Sequence, residues 1–248
     1  MAKGGKFANE NTNANTKVVA AVKSAVEWIK EMHKAVEDTA KAGEGGNESI
    51  ANVAAGGGGA AAAGVKADVN SVTGIAKGMK AIVDAAGKAG VELKPAAAGA
   101  GGAGAGANAG KLFASGANAN AGAADDAQGA AEAAGKAVSA VSGDQILKAI
   151  VDAAGTAAGK KANEAANAVE AAIGDDNANQ AGAAFGAGGM NNKNDQIAAA
   201  IVLRGLAKDG KFANENANAN GKVVAAVKSA VEWIKEMHKA VEDTAKAG

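Results

Sequence analysis

An all-α fold, a helical bundle with long Gly/Ala/Asn-rich loops, is what this sequence predicts, on three observations. Apolar residues recur three and four apart in several stretches, which places them on one side of a helix. No segment alternates polar and apolar residues with a clean period of two, so no strand is indicated. Between the periodic stretches lie tracts of glycine, alanine and asparagine, where glycine is costly to order and alanine contributes little burial.

The first predicted helix spans residues 18–43. Val18, Val22, Ala25, Ile29, Met32 and Val36 are spaced 4, 3, 4, 3 and 4 apart, one apolar stripe of coiled-coil period. Lys23/Glu27 and Lys34/Asp38 stand four apart and Glu27/Lys30 three apart on the other faces, each pair adding a few tenths of a kcal/mol. Gly43 is a natural stop. A helix of about 25 residues is about 38 Å long, and so narrow a stripe needs a partner.

The same segment ends the chain. Residues 206–248 match residues 1–43 at 39 of 43 positions, and the two copies carry the sole tryptophans, Trp28 and Trp233. An offset of 205 is far from the period of a solenoid. The expected organisation is therefore residues 1–43 as the tail of a preceding unit and residues 44–248 as one complete unit, with Met1 aligned to an ordinary Leu206. The two helical copies can pair with each other, dock separately on the body, or join two chains as a homodimer.

Residues 65–87 carry Val65, Val69, Val72, Ile75, Met79, Ile82 and Val83 on one side and read as a second helix. Residues 137–155 read as a third helical stretch, restarting at Ser142, which stands three before Gln145 as in a capping box. Residues 161–173 give a weaker, alanine-rich helix ending at Gly174. Residues 194–208 form the last, with Asn194 or Asp195 able to cap its first turn. Residues 53–64, 94–124 and 174–194 are expected to be loops or frayed turns, the least constrained surface of the chain.

Composition narrows the function classes. Leu, Ile, Val and Phe number 40 of 248 residues, about 16%, so buried surface per residue is expected to be small. The 26 basic and 26 acidic residues cancel and are well mixed, which gives no reason to expect nucleic acid or an anionic membrane as partner. The absence of cysteine removes disulfides, thiolate metal sites and a thiol nucleophile. The opening MAKGGKFANENTNANTK shows no apolar core of a signal peptide, and the Ala/Gly tracts are too weakly apolar for a membrane span, so the chain as written is expected to be soluble.

No chemistry is indicated either. GAGGAGAGANAGK at 99–111 has Gly-x-Gly-x-x-Gly spacing, but no strand precedes it and no Gly-Lys-Ser/Thr triplet follows, so a linker is expected and no nucleotide or other cofactor. His33 and His238 have Glu37 and Glu242 four residues on, the spacing of a two-ligand metal site, but each also reads as a surface histidine on a charged face, and no metal site is assigned. Asp125–Asp126 and Asp175–Asp176 are adjacent pairs in expected loops; adjacent side chains point apart, which suits solvated charge better than acid–base work. Neither a catalytic triad nor a small-molecule substrate is expected, and the chain reads as a non-enzyme.

Four stretches carry a family resemblance: VNSVTGIAKGMKAIVDAAG (69–87), GKLF (110–113), GKAVSAVSGDQILKAIVDAAG (135–155) and, most specifically, MNNKNDQIAAAIVLRGLAKDGKFA (190–213). In order and spacing they resemble the variable cassette of the variable large protein and variable major protein-like surface lipoproteins of Borrelia, over about 150 of the 248 residues. The resemblance implies a mostly helical protein, held at the outer surface by an N-terminal lipidated cysteine and serving antigenic variation by recombination of donor cassettes. It implies host antibodies as partners and exposed loops as the varying targets. Asn118, Asn120, Asp125, Asp126, Asp175, Asp176, Asn177 and Asn179 fall in the Gly/Ala/Asn tracts and are the candidate antibody-exposed positions. It implies also that the block at 190–213 is nearly invariant, largely covered and still immunogenic. The lipidated cysteine and the family's N-terminal constant domain are not in this sequence. The doubled segment then resembles the junction of two tandem cassettes, so the chain reads either as a surface antigen or as a silent donor; an adhesin working through the amphipathic helices is the alternative.

Overall fold

The computed structural model describes residues 15–43, 52–57, 59–88, 106–117, 119–176 and 181–214, with Ala225. Among the described residues six α-helices of more than one residue run in order: α1 (Asn15–Gly43), α2 (Val69–Lys88), α3 (Ala124–Ser139), α4 (Gly143–Ala153), α5 (Ala168–Ile173) and α6 (Asn194–Leu206). Short 3-10 segments occupy Gly59–Ala61 and Ala107–Phe113. Among the described residues β pairing is confined to isolated bridges, such as Val65 with Lys211, so the expected all-α class is the observed one.

The centre of the fold is α6. Residues 197–205 are all buried, so this helix is apolar around its whole circumference, with α2, α3, α4 and α5 packed about it. Its neighbours supply Val72, Ile75 and Met79 from α2, Ile146 and Ile150 from α4, and Val169 and Ile173 from α5. Much of the remaining core is alanine, whose single methyl lets helices approach closely, and this is how a chain poor in large apolar residues closes a core.

α1 ends at Gly43 as expected and lies antiparallel to α2. Ser71 Oγ donates to the Ala42 carbonyl at 2.6 Å, Thr39 lies against Gly78, and Lys88 reaches Glu31 at 2.5 Å. Gly74 and Gly78, one turn apart, form the groove into which Ala42 and Thr39 fit. Lys34 and Asp38 form the expected exposed pair at 2.5 Å. The first copy of the repeated helix thus docks on the body; residues 226–248 of the second copy lie outside the described residues.

Caps fix several helix starts. Ser142 accepts from Gln145 N at 3.4 Å while its own N–H donates to Gln145 Oε1 at 2.8 Å, the reciprocal box expected there. At α6 the expectation fails: Lys193 is the cap residue, without a side-chain bond, and Asn194 is buried in the first turn. The helix expected over 161–173 is helical only from Ala168, because the Asn167 side chain accepts from Val169 N and Glu170 N and starts the helix there. The second helix begins at Val69, later than expected, since Val65 is held extended by its bridge to Lys211.

The larger corrections concern the tracts expected to be loops. α3 was not expected before residue 137. It has no large apolar stripe and buries Ala127, Ala130, Ala131, Ala134 and Ala137 instead. Consequently Asp125 and Asp126 sit in the first turn of a helix, where carboxylates favour the dipole, and not in a loop. The tracts are also less free than expected, for Ala54 and Ala62 in the first, Leu112 and Phe113 in the second, and Phe185 and Met190 in the third are all buried.

Candidate functional site

Two of those tracts run side by side. Ser115 bridges Asp176, Asn120 bridges Ala181, and Gly182 N donates to the Asn120 carbonyl at 2.7 Å. Ser115 Oγ adds a bond to the Asp175 carbonyl at 3.0 Å. The first strip turns at Gly122, whose φ of 99° suits glycine, and the Asn120 side chain accepts from Gly122 N at 2.9 Å to close that turn. It runs directly into α3. The backbone of the described residues of the two strips is therefore tied together, while Asp175 and Asp176 face water.

Five of the eight candidate positions are described: Asn120 on the first strip, Asp125 and Asp126 in the first turn of α3 that follows it, and Asp175 and Asp176 on the second strip. Asp125, Asp175 and Asp176 are exposed, and Asn120 and Asp126 half-buried. Asn118, Asn177 and Asn179 lie outside the described residues. Asp126 is committed locally: it accepts from Ala123 N at 3.3 Å and pairs with Lys111 Nζ at 2.5 Å. The Lys111 hydrogen bond and charge hold its carboxyl below the ordinary carboxylate value. Asp176 pairs with Lys66 at 2.5 Å and in turn raises that ammonium.

Because Asp126 is lowered in the folded chain, its contribution to stability is present above its unfolded value and disappears as pH falls through its folded value. Asp126→Asn is therefore expected to lower the urea midpoint modestly at neutral pH, with wild type and variant converging in acid. A difference that persisted at low pH would contradict this account of the Lys111 pair.

Beneath the two strips lies Arg204, fully buried, which sequence reasoning passed over. Its Nη1 donates to the Phe113 carbonyl at 3.1 Å and Nη2 to the Val65 carbonyl at 2.6 Å. Its guanidinium carbon stands 5.4 Å from the Phe113 ring centre and 5.9 Å from that of Phe212. Burial pushes the group down to about 9, opposed by the charge of Asp176, and it remains a cation at neutral pH. One signal was available: Arg204 is the chain's sole arginine, set in the apolar run IAAAIVLRGLA.

Chemically the face offers little. A cleft of about 50 Å³ among Phe113, Ser115, Lys161, Asn163 and Asp175 is well below the few hundred Å³ of a drug-sized ligand site. Among the described residues no three His, Asp or Glu side chains converge as a metal site. His33 is exposed on α1, and Glu37 pairs with Lys41 at 2.9 Å. His238 and Glu242 lie outside the described residues.

A surface of this kind, with a fixed backbone and a covered block beneath it, matches the resemblance carried by residues 190–213. The family model for Borrelia lipoproteins matches residues 21–247. The chain belongs to the Borrelia lipoprotein family. Among solved structures it is similar to the Lyme disease variable surface antigen VlsE of Borrelia burgdorferi, with 43% identity over 93% of this chain and 74% of that one and a TM-score of 0.73. This member of the lipoprotein family shares the helical architecture of that antigen, and its most specific block, 190–213, includes the buried helix α6. No helix among its described residues is long and apolar enough to cross a membrane.

Proposed function

We propose that this chain is a variable surface antigen module, displayed at the cell surface, that acts without catalysis by presenting replaceable side chains to host antibodies. The observation that carries the reading is the layering at the described residues 115–117, 119–126, 174–176 and 181–182. Asp175 and Asp176 are exposed on a strip bridged to Ser115 next to the buried Arg204, and Asp125 is exposed in the first turn of α3. Exposed side chains on such a frame can change with little effect on the fold, whereas the layer beneath cannot. Membership of a lipoprotein family and likeness to an antigen that varies support the same reading.

The test separates recognition from stability. Replacing Asp125 and Asp175 by asparagine is expected to shift unfolding by less than about 0.5 kcal/mol each and to remove binding by a share of antibodies raised against the folded chain. Ile150→Ala, in the core of α4, is expected to cost about 2–5 kcal/mol and to leave native-state binding of loop antibodies intact. Antibodies indifferent to all the exposed aspartates, or a reversed stability order, would overturn the proposal.

The unit boundaries at 43 and 44 fit a chain read across the junction of two cassettes, which would make it a donor of sequence as well as, or instead of, a displayed antigen. The tryptic peptides FANENTNANTK (7–17) and FANENANANGK (212–222) differ at two positions and distinguish these cases. Equal recovery of both from the surface of intact cells supports display of the two-copy chain. Recovery of one or neither favours the donor role.

A further inference from the structure

Asp209 is followed by Gly210, and no other aspartate of the chain precedes a glycine. The pair lies in the turn that follows α6 and leads to residues 211–214. Among the described residues Asp209 alone, apart from glycines, has a positive φ, 64°, a left-handed conformation that side chains seldom adopt and aspartate tolerates better than most. Asp209 is exposed, and among the described residues its carboxylate takes part in no hydrogen bond or ion pair. The Gly210 N–H likewise meets no acceptor among the described residues. A free carboxyl therefore stands next to a free peptide nitrogen that no side chain shields.

The reaction open to such a pair needs only water. The Gly210 nitrogen attacks the side-chain carboxyl carbon of Asp209; a C–N bond forms, and the hydroxyl leaves with the amide proton as water, giving a cyclic imide. Water then adds at the main-chain carbonyl carbon, breaks its bond to the nitrogen and returns the proton. The peptide now runs through the side-chain carbon as isoaspartate, one backbone atom longer. The turn has no room for that atom. On one side Lys208 N donates to Ser71 Oγ at 3.0 Å and the Lys208 carbonyl accepts from Asp68 N at 2.9 Å. On the other, Lys211 N donates to Val65 O at 3.1 Å, Phe212 N to Asn52 O at 2.9 Å, Ala213 N to Leu112 O at 2.8 Å and Asn214 N to Ala62 O at 2.9 Å. Between these anchors Gly210 lies so close to the Arg204 carbonyl that a Cβ would overlap it.

We propose that Asp209–Gly210 is a site of spontaneous isoaspartate formation, and that the isomer loosens the seat of residues 211–214. The first copy of the repeat has Gly4 at the equivalent position and lacks the carboxyl the reaction needs.

The test ages the folded full chain for weeks at neutral pH in water enriched in heavy oxygen. It is then unfolded and cut with an endoproteinase that cleaves before aspartate and not before isoaspartate. The cut before Asp209 is expected to fade with time while the cut before Asp195 stays complete, and the uncut peptide is expected to carry a heavy oxygen at residue 209. Tandem fragmentation places the label, because Asn220–Gly221 can form the same ring with loss of ammonia. Full cleavage before Asp209, with no label there once Asn220 has been converted, would overturn the site. Aged chains carrying the isomer, separated by chromatography, are expected to exchange the amides of residues 211–214 several-fold faster than unmodified chains, with α3 unchanged. Equal exchange would overturn the loosening. Asp209→Gly, which suits the positive φ, is expected to keep its exchange rates through the same ageing. Equal loosening in that variant would place the cause elsewhere and overturn the assignment.

Discussion

Arg204→Ala is expected to destabilise the fold by about 3–5 kcal/mol, since two bonds from a charged donor and the aromatic stacking are lost together. The guanidinium ties three parts of the chain to α6: the Phe113 carbonyl at the end of the 3-10 segment, the Val65 carbonyl before α2, and the rings of Phe113 and Phe212. Those rings meet edge to face with centres 5.4 Å apart. Val65 O also accepts from Lys211 N at 3.1 Å and keeps one bond when the arginine goes. Arg204→Met fills most of the space without the donors and is expected to cost less than the alanine variant, yet clearly more than nothing. Arg204→Lys is expected to fall short of wild type as well, since one ammonium cannot reproduce a planar fork aimed at two carbonyls. Chemical denaturation of the three variants checks the order. A methionine variant as stable as wild type would remove the bonds to the carbonyls from the account and leave only packing.

The second large effect reverses the intuition that glycine tracts tolerate change. A Cβ on Gly64 would stand 2.8 Å from Ala213 N and 2.9 Å from Lys211 O, and closer still to the Ala114 carbonyl. All three are backbone atoms of segments that cannot withdraw separately. Gly64→Ala is therefore expected to cost about 2–3 kcal/mol, the upper part of the range for overpacking. Gly129→Ala makes the same chemical change in α3, where a Cβ meets nothing within 4 Å. There alanine only lowers the freedom of the unfolded chain, and a gain of about 0.5–1 kcal/mol is expected. Thermal melts of the two variants must move in opposite directions. Shifts of one sign would mean that composition, and not the local packing of each glycine, governs these tracts.

The helices with large apolar stripes were legible in the sequence. Val72, Ile75 and Met79 define α2, Ile146 and Ile150 define α4, and the Ser142–Gln145 box marks where α4 begins, because periodicity and capping are local properties. The 4, 3, 4, 3, 4 stripe of α1 was equally plain, as was the family block at 190–213. What sequence reading missed was whatever depended on small residues meeting. α3 buries alanines that have no periodic signal strong enough to read, Gly64 resembles a linker glycine until its neighbours are in place, and Gly74 and Gly78, inside a predicted helix, show no sign in sequence that α1 packs on them. Of the candidate face, the sequence supplied the residues and the fold their relation, since Ser115 meets Asp176 and Asn120 meets Ala181 only once both tracts are laid over α6. By itself the sequence determined that the chain is helical, which family it resembles and that one helix is present twice. Only the tertiary structure decided that a lone arginine is the buried fastening beneath the exposed face, because the cost of taking its charge from water is offset by carbonyls and rings distant along the chain.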